Sequence, residues 1–255
     1  MTAAAAGWGS PALPLGSPLA FVGWYHLAFF GVFVPWAAYR SRIRIAALKA
    51  YPPLQRHLIA ALGSLVFLGG ISLLVAWKQD VRLRPVSAPT PAGLLAGLIL
   101  LVVAVAVAFP MWRSAVLRKS RGVYFKMPRT VGEKAAWIAV SLAAGFFEEC
   151  AWRGVQTSLL TAVLGNAWLG VIVCALMFAL AHSNQSMTSM AFIFMLSIAL
   201  GAIVALTGSL VVPILVHATF DVIAGFTYTR LGTSLGYAPP PLAPAVPPRI
   251  AVEGA

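Results

Sequence analysis

Six ionisable side chains interrupt the apolar segments in the second half of the sequence. These side chains are Glu148, Glu149, Arg153, His182, His217 and Asp221. Carboxylates and imidazoles inside a membrane can pair with one another, relay protons or line a water-filled cavity, and a charge near the bilayer centre costs about 2.5–3.5 kcal/mol on insertion scales. Three of the six acidic residues in the chain belong to this set. This concentration predicts one shared polar site.

The spacing of the first three residues assigns them to helix faces. Glu149 and Arg153 are four residues apart, so they share a helix face and can form an ion pair. Glu148 is rotated by about 100° from Glu149 on the same helix, which keeps its carboxylate away from that pair. The spacing therefore predicts Glu149–Arg153 as a structural ion pair and Glu148 as the working group. In the alternative interpretation, both glutamates only neutralise Arg153.

Two further segments supply the histidines. His217 and Asp221 are four residues apart, so the carboxylate can orient the imidazole. Pro213 precedes His217 by four residues, and we expect it to bend this helix and to open a cavity there. His182 ends another apolar run, where a single histidine is usually structural. Only its combination with the glutamate pair and with His217 indicates a functional site.

The composition defines the fold class that must position these groups. The chain has 255 residues, of which 60% are hydrophobic and 9% are charged, whereas about 25% of the residues in a soluble domain are charged. A spanning helix needs about 20 apolar residues. The sequence therefore predicts an all-α, polytopic transmembrane bundle with about seven spans (six to eight). The expected spans lie near residues 19–39, 57–77, 91–112, 133 onward, 166–182, 187–207 and 210–230.

We expect four regions along the chain. A flexible N-terminal tail covers residues 1–18, and three transmembrane helices with basic loops cover residues 19–132. The core with the polar site covers residues 133–231. A Pro-rich tail covers residues 232–255, where the prolines exclude a helix, so we expect this tail to be disordered.

Basic residues lie beside the membrane segments. The net charge is +12, and the positive residues concentrate at 40–56 and 113–134. Such clusters are typical of cytoplasmic loops that face anionic lipid headgroups, and their position argues against nucleic-acid binding. The alternation of loop charge predicts an N-terminus outside and a C-terminus in the cytoplasm. We expect a multi-pass protein of a prokaryotic plasma membrane.

Three motifs follow one another on successive apolar segments. They are Glu148-Glu149-x-x-x-Arg153, Phe178-x-x-x-His182 and His217-x-x-x-Asp221. In this order they resemble the CPBP family of intramembrane proteases, which includes the type II CAAX prenyl endopeptidases and bacteriocin-processing relatives. The match covers about residues 133–230. The resemblance implies an all-helical intramembrane endopeptidase that forms no acyl-enzyme and acts on a membrane-associated protein or peptide, by CAAX-type or leader-peptide processing.

The resemblance also implies a role for each residue. Glu148 is similar to the general base that activates water, and His182 to its partner on that water. His217 is similar to the donor that stabilises the oxyanion, with Asp221 beside it. The supporting pair is Glu149 with Arg153. The prenyl endopeptidases have Asn at the position of Asp221, and an ionised Asp would repel an oxyanion, so Asp221 is protonated or acts through His217.

Other mechanisms and functions stay open on the sequence alone. We favour metal-free glutamate chemistry without a cofactor. The alternative is a zinc site with Glu148, His182 and His217 as ligands, a His₂Glu set, although the sequence has no HExxH motif. A non-catalytic membrane scaffold or immunity protein of the same fold is the alternative from another class. A transporter is third, because no pair of interrupted helices repeats in two halves of the chain.

Overall fold

The protein is a bundle of helices, and the part of the chain that the structure describes contains no strand. The computed structural model describes residue 13 and residues 16–83 and 89–238. The helices are α1 (Phe21–Ala47), α2 (Leu54–Lys78), α3 (Pro91–Leu117), α4 (Arg121–Tyr124), α5 (131–164), α6 (Ala167–Ala181), α7 (Met187–Thr207) and α8 (Val211–Ser234). The predicted all-α transmembrane bundle is confirmed, and the seven expected spans correspond to α1–α3 and α5–α8.

Length and composition support membrane insertion. Five of the described helices, α1, α2, α3, α7 and α8, are long and apolar enough to cross a membrane. Helix α6 is apolar but has only 15 residues. Large apolar side chains such as Phe21, Trp77 and Val131 point outward, with 82%, 72% and 85% of their surface exposed. An outer surface of this kind suits lipid rather than water, and the chain is an integral membrane protein.

Local signals in the sequence set the helix ends near the site. Helix α5 begins with a capping box, in which Thr130 Oγ1 accepts from the Glu133 N–H at 3.2 Å and Glu133 Oε2 accepts from the Thr130 N–H at 3.0 Å. It ends at Gly165, which has a left-handed φ of +65°, and α7 ends at Gly208 with a φ of +66°. These glycines allow very short links to α6 and α8.

Small residues bring α5 close to its neighbours. A side chain at Gly69 of α2 would collide with Phe147. A Cβ atom at Gly145 would lie 2.7 Å from the Ala218 Cβ atom and 2.9 Å from the Ile214 carbonyl oxygen, both in α8. Close contact at small residues is the usual way in which membrane helices pack. It places the Glu148–Glu149 pair against the turn of α8 that bears His217.

Two expectations about helix α8 differ from the structure. Pro213 lies in the first turn of α8 rather than in its interior, and Pro is tolerated there because that N–H has no partner within the helix. Helix α8 continues to Ser234, and Tyr237 is buried beyond it, so ordered packing extends past residue 231. Most of the two expected tails, residues 1–12, 14–15 and 239–255, lies outside the described residues.

Candidate active site

The middle of α5 is wound as a π-helix. This π segment covers Glu149–Gln156, and all eight of its residues are buried. Hydroxyl groups from the next turn bond its carbonyls, with Thr157 Oγ1 donating to Trp152 O at 2.8 Å and Ser158 Oγ to Gly154 O at 2.6 Å. Such segments are rare and occur frequently at functional sites. The periodicity of the sequence does not predict this π segment.

Glu149, the first residue of the π segment, joins α5 to α8. Its side chain is fully buried, and its Oε1 atom accepts from Arg153 Nη1 at 2.8 Å and from His217 Nδ1 at 2.7 Å. Because a carboxylate oxygen accepts, His217 Nδ1 must bear the hydrogen. The opposite nitrogen, His217 Nε2, then faces away from Glu149. The ion pair expected from the spacing is present, and the bond to His217 is an addition that the spacing did not predict.

His217 Nε2 faces two other carboxylates. It lies 3.8 Å from Glu148 Oε2 and 3.6 Å from Asp221 Oδ2. Both separations exceed a normal hydrogen-bond length. Glu148 Oε2 is buried, and no protein group described in the structure hydrogen-bonds to it. A buried oxygen of this kind needs a partner such as water or substrate, so the carboxylate is held in place for a group that the protein itself does not supply.

His182 lies next to this cluster without a direct bond to it. It caps α6, and its Nδ1 atom donates to Phe178 O at 2.8 Å, which leaves Nε2 of the neutral ring as an acceptor. The Phe178 ring lies 4.5 Å from the His182 ring and 6.3 Å from the His217 ring, measured between centroids. Arg153 covers the same ring at 4.3 Å. Phe178 therefore contacts His182 and lies near His217, and His182 interacts with His217 electrostatically.

All six predicted side chains thus lie in one region of the structure. Residues 130–223 match the model of a family described as type II CAAX prenyl endopeptidase, Rce1-like. This segment, referred to below as the Rce1-like segment, is similar to that family. The match contains every candidate site residue and agrees with the resemblance drawn from the three motifs. No curated protein and no solved structure matches the chain. The description of this family supports an intramembrane endopeptidase of the CAAX type for the Rce1-like segment.

Lys126 belongs to the basic loop at 113–134, which the sequence predicts to face lipid headgroups. Lys126 precedes α5, and its ammonium group points into the bundle, where it donates to Gln185 Oε1 at 2.7 Å and lies 5.9 Å from the Tyr228 ring. Burial lowers the pKa of Lys126 to about 8, and the charge of Asp221 opposes this shift. Lys126 also interacts electrostatically with His182. Nothing in its sequence neighbourhood distinguishes it from the other basic residues of the loop.

A second residue missed by sequence reasoning holds the helix that bears Asp221. Trp137 donates from its indole Nε1 to the backbone carbonyl of Asp221 at 2.9 Å. Its ring also packs against Gly225, one turn further along α8. This contact ties α8 to the first half of α5.

The site also contains histidine and carboxylate side chains, which are residue types that bind metal ions. Within residues 13, 16–83 and 89–238, no three His, Cys, Asp or Glu side chains are grouped in a way that could hold a metal ion. Glu148 and His217 lie close together, and His182 lies beside them without a direct bond to either. The zinc alternative stays a prediction, which chelation and reconstitution with zinc can test.

Proposed function

We propose that the protein is an intramembrane endopeptidase that hydrolyses a peptide bond near the membrane with water activated by Glu148. The observation that supports this proposal is the buried Glu148 oxygen without a protein partner, 3.8 Å from His217 Nε2. Its neighbour Glu149 accepts from two donors through Oε1, although Glu149 Oε2 is also buried without a described protein partner. Glu148 is therefore the carboxylate available for proton transfer, while Glu149 is occupied in holding the site together.

In the proposed reaction, Glu148 acts first as a base and then as an acid. Its carboxylate takes a proton from water while the water oxygen attacks the carbonyl carbon of the scissile bond. The tetrahedral intermediate then breaks its C–N bond, and Glu148 returns the proton to the leaving amine. We assign the Nε2 atom of His182 as an acceptor for the attacking water, because Nδ1 of this ring is used by Phe178 O.

His217 is the proposed donor to the oxyanion. Three carboxylates surround His217, those of Glu148, Glu149 and Asp221. The cationic side chains nearby are Arg153 and Lys126. A protonated His217 brings the charges into balance and gives Nε2 a hydrogen to donate. Removal of one preorganised oxyanion donor typically costs about 2.7–4 kcal/mol in activation free energy.

Asp221 has a proposed indirect role. It lies 3.6 Å from His217 Nε2, where its negative charge favours the charged imidazolium but would repel an oxyanion in direct contact. An Asn at this position would lose the charge and gain an amide donor. We expect Asp221→Asn to keep kcat within about tenfold of wild type, a change of about 1.4 kcal/mol in the barrier. Loss of all cleavage in a folded Asp221→Asn variant would show that the carboxylate itself is required.

The proposed substrate is a membrane-associated protein or peptide of the CAAX type, as the family description implies. The test uses the purified full chain in proteoliposomes and a prenylated CAAX peptide with a fluorophore and a quencher on either side of the expected cleavage site. An unprenylated peptide of the same sequence measures the contribution of the lipid group. A leader-type peptide tests the bacteriocin-processing alternative.

The decisive variant in this assay is Glu148→Gln. Loss of the general base should lower kcat by about 10²–10⁴-fold. The matched control is Glu133→Gln at the start of the same helix, which preserves the capping box because Gln also fits it. Equal activity of Glu148→Gln and wild type would overturn the proposal, and absence of cleavage by wild type would favour the scaffold or immunity function. Loss of activity on chelation that zinc restores would support the zinc alternative.

A further inference from the structure

A buried chain of hydrogen bonds connects the N-terminal helices to the end of the π segment. His26 of α1, Ser72 of α2 and Gln156 of α5 are each 0% exposed. His26 Nδ1 lies 2.9 Å from Gln156 Oε1, and His26 Nε2 lies 2.9 Å from Ser72 Oγ. The sequence alone gave no function to this histidine, which lies outside the Rce1-like segment at 130–223.

The direction of each bond follows from the atoms involved. Gln156 Oε1 is an acceptor, so His26 Nδ1 donates to it, and Nε2 of the neutral ring accepts from the Ser72 hydroxyl. The Gln156 amide group donates in turn to Met177 Sδ at 3.4 Å. Ser72 Oγ also lies 3.1 Å from Leu68 O, which competes for its single hydrogen. The bond from His26 to Gln156 is therefore the stronger of the two bonds of the ring.

Aromatic packing joins α1 to the same part of α5. Helix α1 has a π-helical turn of its own, Phe29–Phe33, which begins three residues after His26. Phe30 in this turn stacks on the His26 ring at 4.2 Å and meets the edge of the Trp152 ring at 5.2 Å. Trp152 and Gln156 both belong to the π segment. Helix α1 thus contacts the middle and the end of the segment whose first residue, Glu149, binds His217.

The winding of the π segment controls where Glu149 points. A π-helix bonds i to i+5, and rewinding it as an α-helix shifts this register by one residue. One residue corresponds to a rotation of about 100° about the helix axis. Such a rotation at Glu149 would break its 2.7 Å bond to His217 Nδ1. A contact that fastens the last residue of the segment therefore also fixes its first residue.

We propose that His26 is a positioning residue for hydrolysis, which acts by holding Gln156 and so maintains the bond between Glu149 and His217. This inference rests on the proposed function above. It means that the first three spans complete the active enzyme rather than only anchoring it. A buried hydrogen-bond network of this kind is suited to the task because it specifies the arrangement of the groups that it joins.

Two substitutions of His26 separate the two bonds of its ring. In His26→Asn the amide nitrogen lies near the former Nδ1 position and can still donate to Gln156, whereas in His26→Gln the longer side chain reaches Ser72 instead. We expect His26→Gln to lower kcat by about tenfold or more, with KM within about twofold, since an unsatisfied buried partner costs that much. His26→Asn and Ser72→Ala should keep kcat within about threefold of wild type.

A second readout does not depend on activity. The proton on His217 Nδ1, bonded to a carboxylate, should give a downfield NMR signal in the purified full-length protein. We expect this signal to persist in His26→Asn and to be lost or exchange-broadened in His26→Gln, with both variants folded as judged by thermal unfolding. If wild type cleaves none of the probe peptides, the proposed function fails while this signal still tests the coupling.

Either of two outcomes would overturn the inference. Wild-type kcat together with an unchanged His217 signal in His26→Gln would show that His26 does not position the site. Equal impairment of His26→Asn and His26→Gln would show that the bond to Gln156 is not the cause. Loss of the signal and of kcat in His26→Gln alone is the expected result.

Discussion

Two glutamates that are adjacent in sequence occupy very different environments. Each has one buried oxygen without a described protein partner, but Glu149 Oε1 accepts from two donors on two helices, whereas His217 Nε2 lies 3.8 Å from Glu148 Oε2. Consecutive positions on a helix differ by about 100° in direction, so one side chain faces Arg153 and the other faces the gap beside His217. The difference in role therefore follows from one step along the helix.

This difference predicts opposite effects on stability. Glu149→Gln leaves Arg153, which is 5% exposed, as an uncompensated buried charge, and we expect a loss of about 3–5 kcal/mol in unfolding free energy. Glu148→Gln removes a carboxylate whose buried oxygen accepts no hydrogen bond from the described residues, so its stability should equal or exceed that of wild type. Thermal unfolding of both variants in the same detergent measures the contrast. Equal destabilisation would contradict the assignment of Glu149 as the structural group.

At the scale of the helices, close contact between α5 and α8 is the condition for the site. A Cβ atom at Gly145 would lie 2.9 Å from the Ala218 backbone nitrogen and from the Ile214 carbonyl oxygen. These are backbone atoms that cannot turn aside, so the two helices must separate. The separation would lengthen the bond between Glu149 and His217 one turn further along α5.

Gly145→Ala should therefore reduce activity although the change is one methyl group. We expect kcat to fall by about tenfold or more, equivalent to about 1.4 kcal/mol in the barrier. The matched control is Gly63→Ala on α2, where an added Cβ atom meets nothing within 4 Å. This control should keep its activity and gain up to about 1 kcal/mol of helix stability. Similar effects of both changes would show that the contact between α5 and α8 is not critical.

Several elements could be predicted because their signals are local. Runs of apolar residues locate the spans, and the four-residue spacing of Glu149 and Arg153 predicts their ion pair. The end of α1 could not be found in this way, because the helix continues to Ala47 through arginines that hydropathy assigns to a loop. Long basic side chains can extend from a membrane helix into the headgroups without ending it.

Contacts between distant segments could not be predicted from one sequence. The bond between Glu149 and His217 joins residues that are 68 positions apart, and the inward direction of Lys126 depends on Gln185 in another turn. The π segment likewise has no periodic signature. Counting residues along straight helices places Glu148 and His182 at different depths in the membrane. The two residues lie in one region because of helix packing, which residue counting does not describe.

At the scale of the whole molecule, the basic loops predict its orientation in the membrane. Arg44 at the end of α1 should face the cytoplasm, and Arg82 after α2 should face the outside. Both native cysteines, Cys150 and Cys174, are buried, so a single exposed cysteine can be labelled selectively. In intact cells, a membrane-impermeant maleimide should label Arg82→Cys, and it should label Arg44→Cys only after permeabilisation. The reverse pattern would contradict the predicted orientation.

Two short links between spanning helices limit how the protein can be engineered. Residues 165–166 join α5 to α6, and residues 208–210 join α7 to α8, each link beginning with a left-handed glycine. An affinity tag or fluorescent insert placed at either turn would have to unwind helical residues on both sides. The same turns are too short to form a good antibody epitope. Epitopes and fusion partners are therefore better placed in the longer connections between α1 and α2 or between α3 and α5.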